Sequence, residues 1–360
     1  MNIIGIDLGK NQMNVCVMNS RGKVLKRFKC PSKQLLNRIL LTVDKGIIAM
    51  EACGGSHYWS RAFESHGYEV RMMAGQFVKP YLKSNKNDDN DAEAICEAAS
   101  RGNMRFVSVR TEEQQDIQNL HRIRERLVRQ RTALSNEIRG LLMEYGIIIP
   151  QGLSHVRKLL PSIIEKNIDK SERWKTTFNN LHQEFTDLYN KIADYDAQLK
   201  EVVNERDDCK RLLEIPGVGY VTATAIVGAI GNASDFKNGR QFAAYLGLTP
   251  KQHSTGGKAR LGKISKRGNG HIRKLLVQGA SSFSIATKHK KNKGDELNQR
   301  EQWYCDLSER TCHKKSIVAM ANKTARIIWV VLMGNDFKQE EELRKENNKE
   351  EQQQELPLAA

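Results

Sequence analysis

The chain has 360 residues, 39% of them hydrophobic, and a formal net charge of +16 at pH 7. This length predicts two or three domains, and the basic excess indicates a polyanionic partner such as nucleic acid. The longest purely apolar run, residues 327–333, is far shorter than the roughly 20 residues of a membrane-spanning helix. We therefore expect no membrane association.

Other targeting and metal signals are weak. The chain starts directly with a strand-like segment, so no signal peptide is expected. Seven scattered cysteines without a CxxC pair are typical of the reducing cytoplasm, where we expect the protein to act. The spacing of Cys305, Cys312 and His313 matches no zinc signature, so we interpret it as incidental.

Residues 1–110 are predicted to form an α/β domain. Three strand-like segments, NIIGIDLG, MNVCVMN and KVLKRFKC, are separated by short turns. A helix-like stretch at 34–43, the strand IIAME, a helix after Ser56, the strand YEVRMM and another helix follow. Hairpin strands followed by alternating helices and strands are typical of an α/β fold.

Residues 111–207 are predicted to be a helical middle segment. Leucines recur at every seventh position from Leu120 to Leu141, and apolar residues from Trp174 to Val202 alternate spacings of four and three. Prolines and a glycine interrupt the pattern between residues 145 and 161, so two helices are expected. They could form a helical hairpin or a dimerising coiled coil. Arg124 and Arg131 occupy positions of this heptad pattern that would face the partner helix, which we call the seam. They indicate that the first helix is less completely buried than the second.

Residues 208–335 are predicted to form a small, mostly helical domain, and the polar tail at 336–360 is predicted to be disordered. The segment LEIPGVGYVTATAI has the form of a helix-hairpin-helix. Gly217 and Gly219 would let its backbone approach a phosphate. A purely structural corner between two helices would use the same residues.

The most basic segment begins at Lys251. Its cations are interleaved with glycines, so they could contact successive phosphates of a nucleic acid. The candidate nucleic-acid-binding cations are Lys251, Lys258, Arg260, Lys263, Lys266, Arg267, Arg273 and Lys274. Ser254 offers a hydroxyl on a turn in this segment, although a Ser-Thr-Gly-Gly sequence alone is typical of an ordinary loop.

Four carboxylates of the first domain stand where a two-metal nuclease needs them. Asp7 and Glu51 each end an apolar strand-like run, and Asp88 and Asp91 share one face at the start of a helix. Clustered carboxylates repel one another unless a cation neutralises them, and oxygen ligands favour Mg²⁺ or Mn²⁺. Structural roles are the alternative: a turn cap, a surface acid and a helix N-cap cluster.

Several motifs together make the chain resemble the DEDD transposases of bacterial insertion sequences, relatives of the Piv DNA invertases that are also described as bridge-RNA-guided recombinases. The motifs are GIDLGK, AMEACGG, KNDDNDA, IPGVG, YLGLTPKQHSTGGK, ISKRGN and ANKTARIIW, and they span the chain to about residue 335. The resemblance implies a RuvC-like ribonuclease-H fold with Asp7, Glu51, Asp88 and Asp91 as a metal-binding tetrad, although Asp89 adds an extra acid. It also implies a C-terminal transposase domain with a nucleophilic serine, which Ser254 matches.

This resemblance implies a transposase or site-specific recombinase that depends on Mg²⁺ or Mn²⁺. Ser254, or the adjacent Thr255, would attack the scissile phosphate and form a phosphoserine-type ester that conserves the bond for exchange. The tetrad and the serine would come from different subunits of a dimer or tetramer. The expected partners are double-stranded DNA at the element ends and the target, and a structured guide RNA.

Three other functions remain open at this stage. A RuvC-like endonuclease or junction resolvase would use water as the nucleophile, and a catalytically inactive protein would only bind nucleic acid. The GIDLG segment also resembles the phosphate-binding hairpin of actin-like ATPases. That family usually continues with small hydroxyl residues, where this chain has Lys10, Asn11 and Gln12.

Overall fold

The computed structural model describes residues 1–82, 88–230, 233–256, 258, 260–335 and 337, with the backbone alone at Asp88 and Asp89. Most of the predicted tail (residue 336 and residues 338–360) and part of the KNDDNDA and serine-loop motifs lie outside the described residues. The chain divides into two compact units. Met1–Glu112 forms the first unit, and the second unit begins at Glu113.

The first unit contains a mixed sheet. Its elements are β1 (Asn2–Leu8), β2 (Gln12–Met18), β3 (Val24–Pro31), α1 (Leu35–Thr42), β4 (Gly46–Glu51), α2 (Ser56–Glu64), β5 (Glu69–Met73), α3 (Gly75–Val78), α4 (Asp88–Ala99) and β6 (Phe106–Val107). Strands β1, β2 and β3 pair antiparallel, whereas β4 runs parallel to both β1 and β5. The described strands follow the order β3-β2-β1-β4-β5-β6. This topology is consistent with the predicted ribonuclease-H fold.

The two faces of this sheet carry different helices, because side chains alternate along each strand. One face buries residues such as Ile6 and Met50 against Leu35 of α1 and Phe63 of α2. The other face buries a second cluster against α4. That cluster includes Ile3, Cys16, Met18, Ile47, Ala49, Met73, Ala92, Ile95 and Cys96.

The second unit is largely helical. Its elements are α5 (Glu112–Met143), α6 (Leu153–Lys166), α7 (Glu172–Glu205), α8 (Asp207–Leu213), α9 (Tyr220–Ala229), α10 (Gly239–Tyr245), β7 (Pro250–Gln252), β8 (Leu261–Ile264), α11 (Gly270–Lys293), α12 (Gln299–Arg310) and α13 (His313–Leu332). Helix α9 is buried from Thr222 to Ala229. None of the helices that the structure describes has the length and apolar character needed to cross a membrane.

The predicted heptad helices form an antiparallel hairpin within one chain. Leu127 and Leu134 of α5 share a buried cluster with Phe185 and Leu188 of α7. The seam arginines are accommodated rather than exposed: Arg124 Nε lies 2.6 Å from Asp196 Oδ1, and the Arg131 guanidinium stacks 4.5 Å from the Tyr189 ring centroid. These contacts explain how a helix with charged seam positions can still pack.

The predicted interruption between these helices is wrong in its second half. Residues 153–166 form α6, and Pro161 lies inside that helix. Pro161 removes one backbone hydrogen-bond donor, but Val156 and Leu160 are fully buried in the cluster shared with α5 and α7. Burial of this apolar face offsets the unfavourable proline, because most helical stability in proteins comes from packing.

Candidate active site

Asp7 and Glu51 lie side by side at one end of the sheet. The parallel register pairs Ile6 of β1 with Met50 of β4, so the next residue on each strand is a carboxylate. Ile3 and Ala49 project from the same face of the sheet as these acids, because an even number of positions separates them along each strand. Both belong to the core beneath α4. Both carboxylates are therefore on the α4 side of the sheet, which we call the carboxylate face, and both are half-buried.

Helix α4 is fixed close to β1 by a glycine and a cysteine. A Cβ atom on Gly5 would lie 2.3 Å from the Ala92 carbonyl oxygen, so only glycine permits this approach. The Gly5 N–H donates to Cys96 Sγ at 3.0 Å, and the Cys96 thiol lies 3.6 Å from the Ile3 carbonyl oxygen. Because Cys96 contacts Ile3 and Ala92 contacts Gly5, the N-terminal end of α4 is directed along β1 toward Asp7.

The other two predicted acids are in the first turn of α4. Asp88 begins the helix, and its side chain lies outside the described residues. Asp91 is half-buried and directly precedes Ala92, the residue that packs against Gly5. The structure thus places Asp7 and Glu51 on one face at one end of the sheet, and Asp91 in the first turn of the helix that packs on that face.

The position of Gly75 leaves room for the Glu51 carboxylate. A Cβ atom on Gly75 would lie 2.0 Å from Glu51 Oε1, so the missing side chain of Gly75 makes room for this carboxylate. Nearby, the pKa of the Cys53 thiol is raised by burial and then by the negative charges of Glu51 and Asp7.

This arrangement suits a hard divalent cation. The adjacent carboxylates of Asp7 and Glu51 supply oxygen ligands of the type that Mg²⁺ and Mn²⁺ prefer, and a cation would relieve their repulsion. Within the described ranges, no cluster of three or more His, Cys, Asp or Glu side chains could hold a metal ion. Asp7 and Glu51 are adjacent and could hold such an ion together, whereas the metal-binding roles of Asp88 and Asp91 stay predictions.

Ser254 lies in a different setting, at the end of a small two-stranded sheet. Strands β7 and β8 pair antiparallel, and the His253 N–H donates to the Arg260 carbonyl oxygen at 2.9 Å. We call residues 250–264 the serine hairpin. Gln252 Nε2 donates to Ser254 Oγ at 2.8 Å, and the Arg260 backbone N–H donates to the same oxygen at 3.3 Å. Ser254 is exposed and its oxygen accepts two hydrogen bonds.

The predicted nucleic-acid-binding cations divide into two groups. Seven are exposed: Lys251, Lys258, Arg260, Lys263, Lys266, Arg267 and Lys274. Arg273 differs, because its Nη1 donates to the carbonyl oxygens of Leu246 at 2.9 Å and Arg267 at 3.0 Å. Its guanidinium ties the loop before α11 to α10. Lys274 Nζ lies 3.6 Å from Glu125 Oε1, so it is partly engaged.

The two glycines of the predicted helix-hairpin-helix have different surroundings. Gly217 has a φ of +88°, and a Cβ atom there would lie 2.8 Å from the Gly279 carbonyl oxygen of α11. Its role in the structure is close packing against α11. Gly219 is exposed and has open space around it, so its backbone is accessible to a ligand.

Sequence reasoning missed two neighbours of the carboxylates. Cys53 follows Glu51 by two residues, and Asn14 is the antiparallel partner of Asp7 in the register of β1 and β2. The signal for Asn14 was available, because a tight turn after GIDLG fixes the pairing of the two strands. It was not recognised because an isolated asparagine in a strand has no spacing pattern of its own.

Comparisons with known proteins agree on one family. The transposase family of DEDD type found in IS110 elements matches residues 4–147, and the family described as "Transposase IS116/IS110/IS902 family" matches residues 209–294. The chain is 43% identical to the transposase for insertion sequence element IS1111A of Coxiella burnetii over 331 residues, covering 92% of this chain and 89% of that protein.

Two further relatives extend the range of similarity. The transposase for insertion sequence element IS1328 of Yersinia enterocolitica is 38% identical over 333 residues, which cover 91% of this chain and 96% of that protein. The pilin gene-inverting protein of Moraxella bovis is 23% identical over 268 residues, covering 70% of this chain and 73% of that protein.

Proposed function

The chain belongs to the IS110-type insertion-sequence transposases and is an enzyme that acts on DNA, and we propose that it cuts and exchanges DNA strands with two separate sets of groups. The first set is the carboxylate face of the first unit. The second is the serine hairpin of the second unit. The observation that carries this proposal is the adjacency of Asp7 and Glu51 on the face that α4 covers.

The carboxylate face would bind a divalent cation and the scissile phosphate. Asp7, Glu51, Asp91 and Asp88 would hold the ion, with Mg²⁺ as the expected species and Mn²⁺ as a substitute. The bound ion would supply positive charge to stabilise the phosphorane-like transition state. In the same cross-strand row, Lys29 of β3 pairs with Asn14, which pairs with Asp7. This lysine is exposed and would add positive charge near a phosphate bound at this face.

Ser254 would supply the nucleophile. Its Oγ would form a bond to the scissile phosphorus while the bond to the leaving deoxyribose oxygen breaks, and the serine proton would pass to solvent or to the leaving oxygen. One phosphoester replaces another, so a second DNA end can reverse the reaction without external energy. The two hydrogen bonds accepted by Oγ from Gln252 and Arg260 would fix the direction of the hydroxyl.

The exposed cations of the serine hairpin would bind nucleic-acid backbone. Their contacts would be independent of base sequence, since lysine and arginine bind phosphates through charge. A structured guide RNA is therefore part of the proposal, because the target sequence must be read by some other element. We also propose that the protein assembles into a dimer or tetramer.

The test compares variants in cleavage and strand exchange. The purified full-length protein is incubated with Mg²⁺, element-end DNA and its co-purified RNA. Wild-type protein is expected to cleave and to exchange strands, and Ser254→Ala is expected to lose both activities. Ser281→Ala is the matched control, because its hydroxyl bonds only to the Val277 carbonyl of its own helix in the described contacts.

The main competitor, a junction resolvase with water as the nucleophile, predicts a different result. In that case Ser254→Ala would cleave as well as the wild type and no strand exchange would occur in either. Cleavage and exchange that both persist in Ser254→Ala, but are lost in Thr255→Ala, would move the nucleophile by one residue.

A further inference from the structure

Asn14 occupies a defined place next to the carboxylates. It is the direct cross-strand partner of Asp7, and directly opposed residues of an antiparallel pair project from the same face of a sheet. Cys16, two residues further along β2, is part of the core beneath α4. The Asn14 side chain therefore shares the carboxylate face with Asp7 and Glu51.

The Asn14 side chain is buried and incompletely satisfied. Only 5% of the residue is exposed, and Oδ1 has no hydrogen-bond partner among the described atoms. A buried acceptor without a partner is costly, and a bound ion is one way in which such an acceptor becomes satisfied. The neighbouring inward residues of β2, Cys16 and Met18, are apolar, so a hydrophobic residue would suit this position better for packing alone.

We infer that Asn14 Oδ1 is an additional, neutral oxygen ligand for the divalent cation held at Asp7 and Glu51. Amide oxygens are hard donors that Mg²⁺ and Mn²⁺ accept alongside carboxylates. A neutral ligand at this position completes the donor set without adding another negative charge to a cluster of acids. The inference rests on the proposed metal-dependent function and extends it by one residue.

The experiment measures Mn²⁺ binding by full-length protein without DNA. Titration calorimetry gives the affinity, and thermal unfolding with and without Mn²⁺ gives the shift in Tm. Asn14→Leu removes the oxygen and keeps the volume. We expect its Tm without metal to equal or exceed that of the wild type, and its Mn²⁺ affinity to fall about tenfold or more.

A second variant, Asn14→Asp, should have effects opposite to those of Asn14→Leu, and a control variant should leave Mn²⁺ binding unchanged. Asn14→Asp should lower the Tm without metal, because it adds a charge beside Asp7, and should raise the Mn²⁺ affinity. Ser60→Ala is the control for loss of a buried polar group: its hydroxyl donates to the Ser56 carbonyl on α2, which packs on the opposite face. It should lower the Tm without changing Mn²⁺ binding.

The possible failures are distinguishable. Unchanged Mn²⁺ affinity in both Asn14 variants, with Asp7→Asn abolishing binding, would overturn the role of Asn14 and leave the proposed function standing. A lower Tm for metal-free Asn14→Leu, together with wild-type Mn²⁺ affinity, would make Asn14 a structural amide. No Mn²⁺ binding by the wild type would overturn the proposed metal site and this inference together.

Discussion

The carboxylate face and the serine hairpin differ in how firmly the fold holds them. Asp7 and Glu51 lie near the ends of strands that are paired on both sides, and helix α4 is held against β1 by the close approach of Gly5 and Ala92. Ser254 lies in an exposed segment next to strands of three and four residues. Groups that share a metal ion need fixed positions, whereas a nucleophile that carries a DNA strand must be accessible.

The same contrast extends to the charges around each region. Negative charge on the carboxylate face is partly buried, where its interactions are strong and poorly screened. Positive charge on the serine hairpin is exposed, so its attraction for DNA depends on salt. We therefore expect changes in the first region to alter chemistry and changes in the second to alter binding and exchange.

The largest effect should come from Asp7→Asn. The change removes a charged oxygen ligand while keeping the shape of the side chain, so DNA cleavage should fall by at least about 100-fold. DNA binding in a gel-shift assay should stay within about twofold, because the exposed cations are untouched. Asp44→Asn, a change at an exposed acid before β4, is the control. Cleavage within tenfold of the wild type would contradict the role of Asp7.

The next effect tests whether α4 must lie close to β1. In Gly5→Ala the new methyl group would meet the Ala92 carbonyl and Cys96 Sγ, so α4 must shift. We expect the free energy of unfolding to fall by about 1–3 kcal/mol and Mg²⁺-dependent cleavage to fall with it. Gly102→Ala, which has open space around it, should leave both quantities unchanged. Equal stability of the two variants in urea unfolding would contradict the close packing.

A smaller effect should distinguish Arg260 of the serine hairpin from Arg273 of α11. Arg260→Ala should weaken DNA binding and reduce the slope of log K against log salt by about 1. Arg273→Ala should lower the free energy of unfolding by about 1–3 kcal/mol, because two carbonyl oxygens lose their donor. Salt titrations and urea unfolding of both variants check the division. The reverse pattern would mean that Arg273 contacts DNA and Arg260 supports the fold.

The smallest effect is a loss of stability of the second unit at acidic pH, caused by His121. His121 is 5% exposed and lies 3.0 Å from Thr224 Oγ1, and burial, followed by the nearby His271 and Arg124, lowers its pKa to about 3. The unfolded chain takes up this proton near pH 6.5 and the folded chain does not. Stability from a neutral His121 is therefore complete above about pH 6.5 and is lost as the pH falls toward 3.

The measurement is urea unfolding at pH 7, 6 and 5. Wild-type protein should lose up to about 1.4 kcal/mol per pH unit relative to His121→Gln over this range. His66→Gln, a change at an exposed histidine of the first unit, should follow the wild type. If the free energies of unfolding of the wild type and His121→Gln change equally with pH, the pKa of His121 is not lowered in the folded protein.

The strands that carry Asp7 and Glu51 could be predicted, because apolar runs that end at an acid beside glycine have a clear pattern. Helix α6 could not be predicted, because Pro161 disfavours a helix and only the packing of Val156 and Leu160 favours it. Strands β7 and β8 are too short and too rich in lysine to give a strand signal.

The roles of single side chains were the least predictable part of the site. Arg273 looked like one more cation in a basic segment, but its partners are carbonyl oxygens of residues up to 27 positions away. Asn14 became visible only through the strand register and its burial. Contacts of this kind depend on tertiary structure, which no local pattern contains.

The most direct test of the two-part chemistry is to identify the residue that becomes joined to DNA. The protein is incubated with element-end DNA, Mg²⁺ and co-purified RNA, and the reaction is quenched during strand exchange. The protein is then digested, and the DNA-linked peptide is identified by mass spectrometry. We expect a phosphoester at Ser254 in the wild type and no adduct in Asp7→Asn. An adduct on a residue outside the serine hairpin, or strand exchange without any adduct, would contradict this expectation.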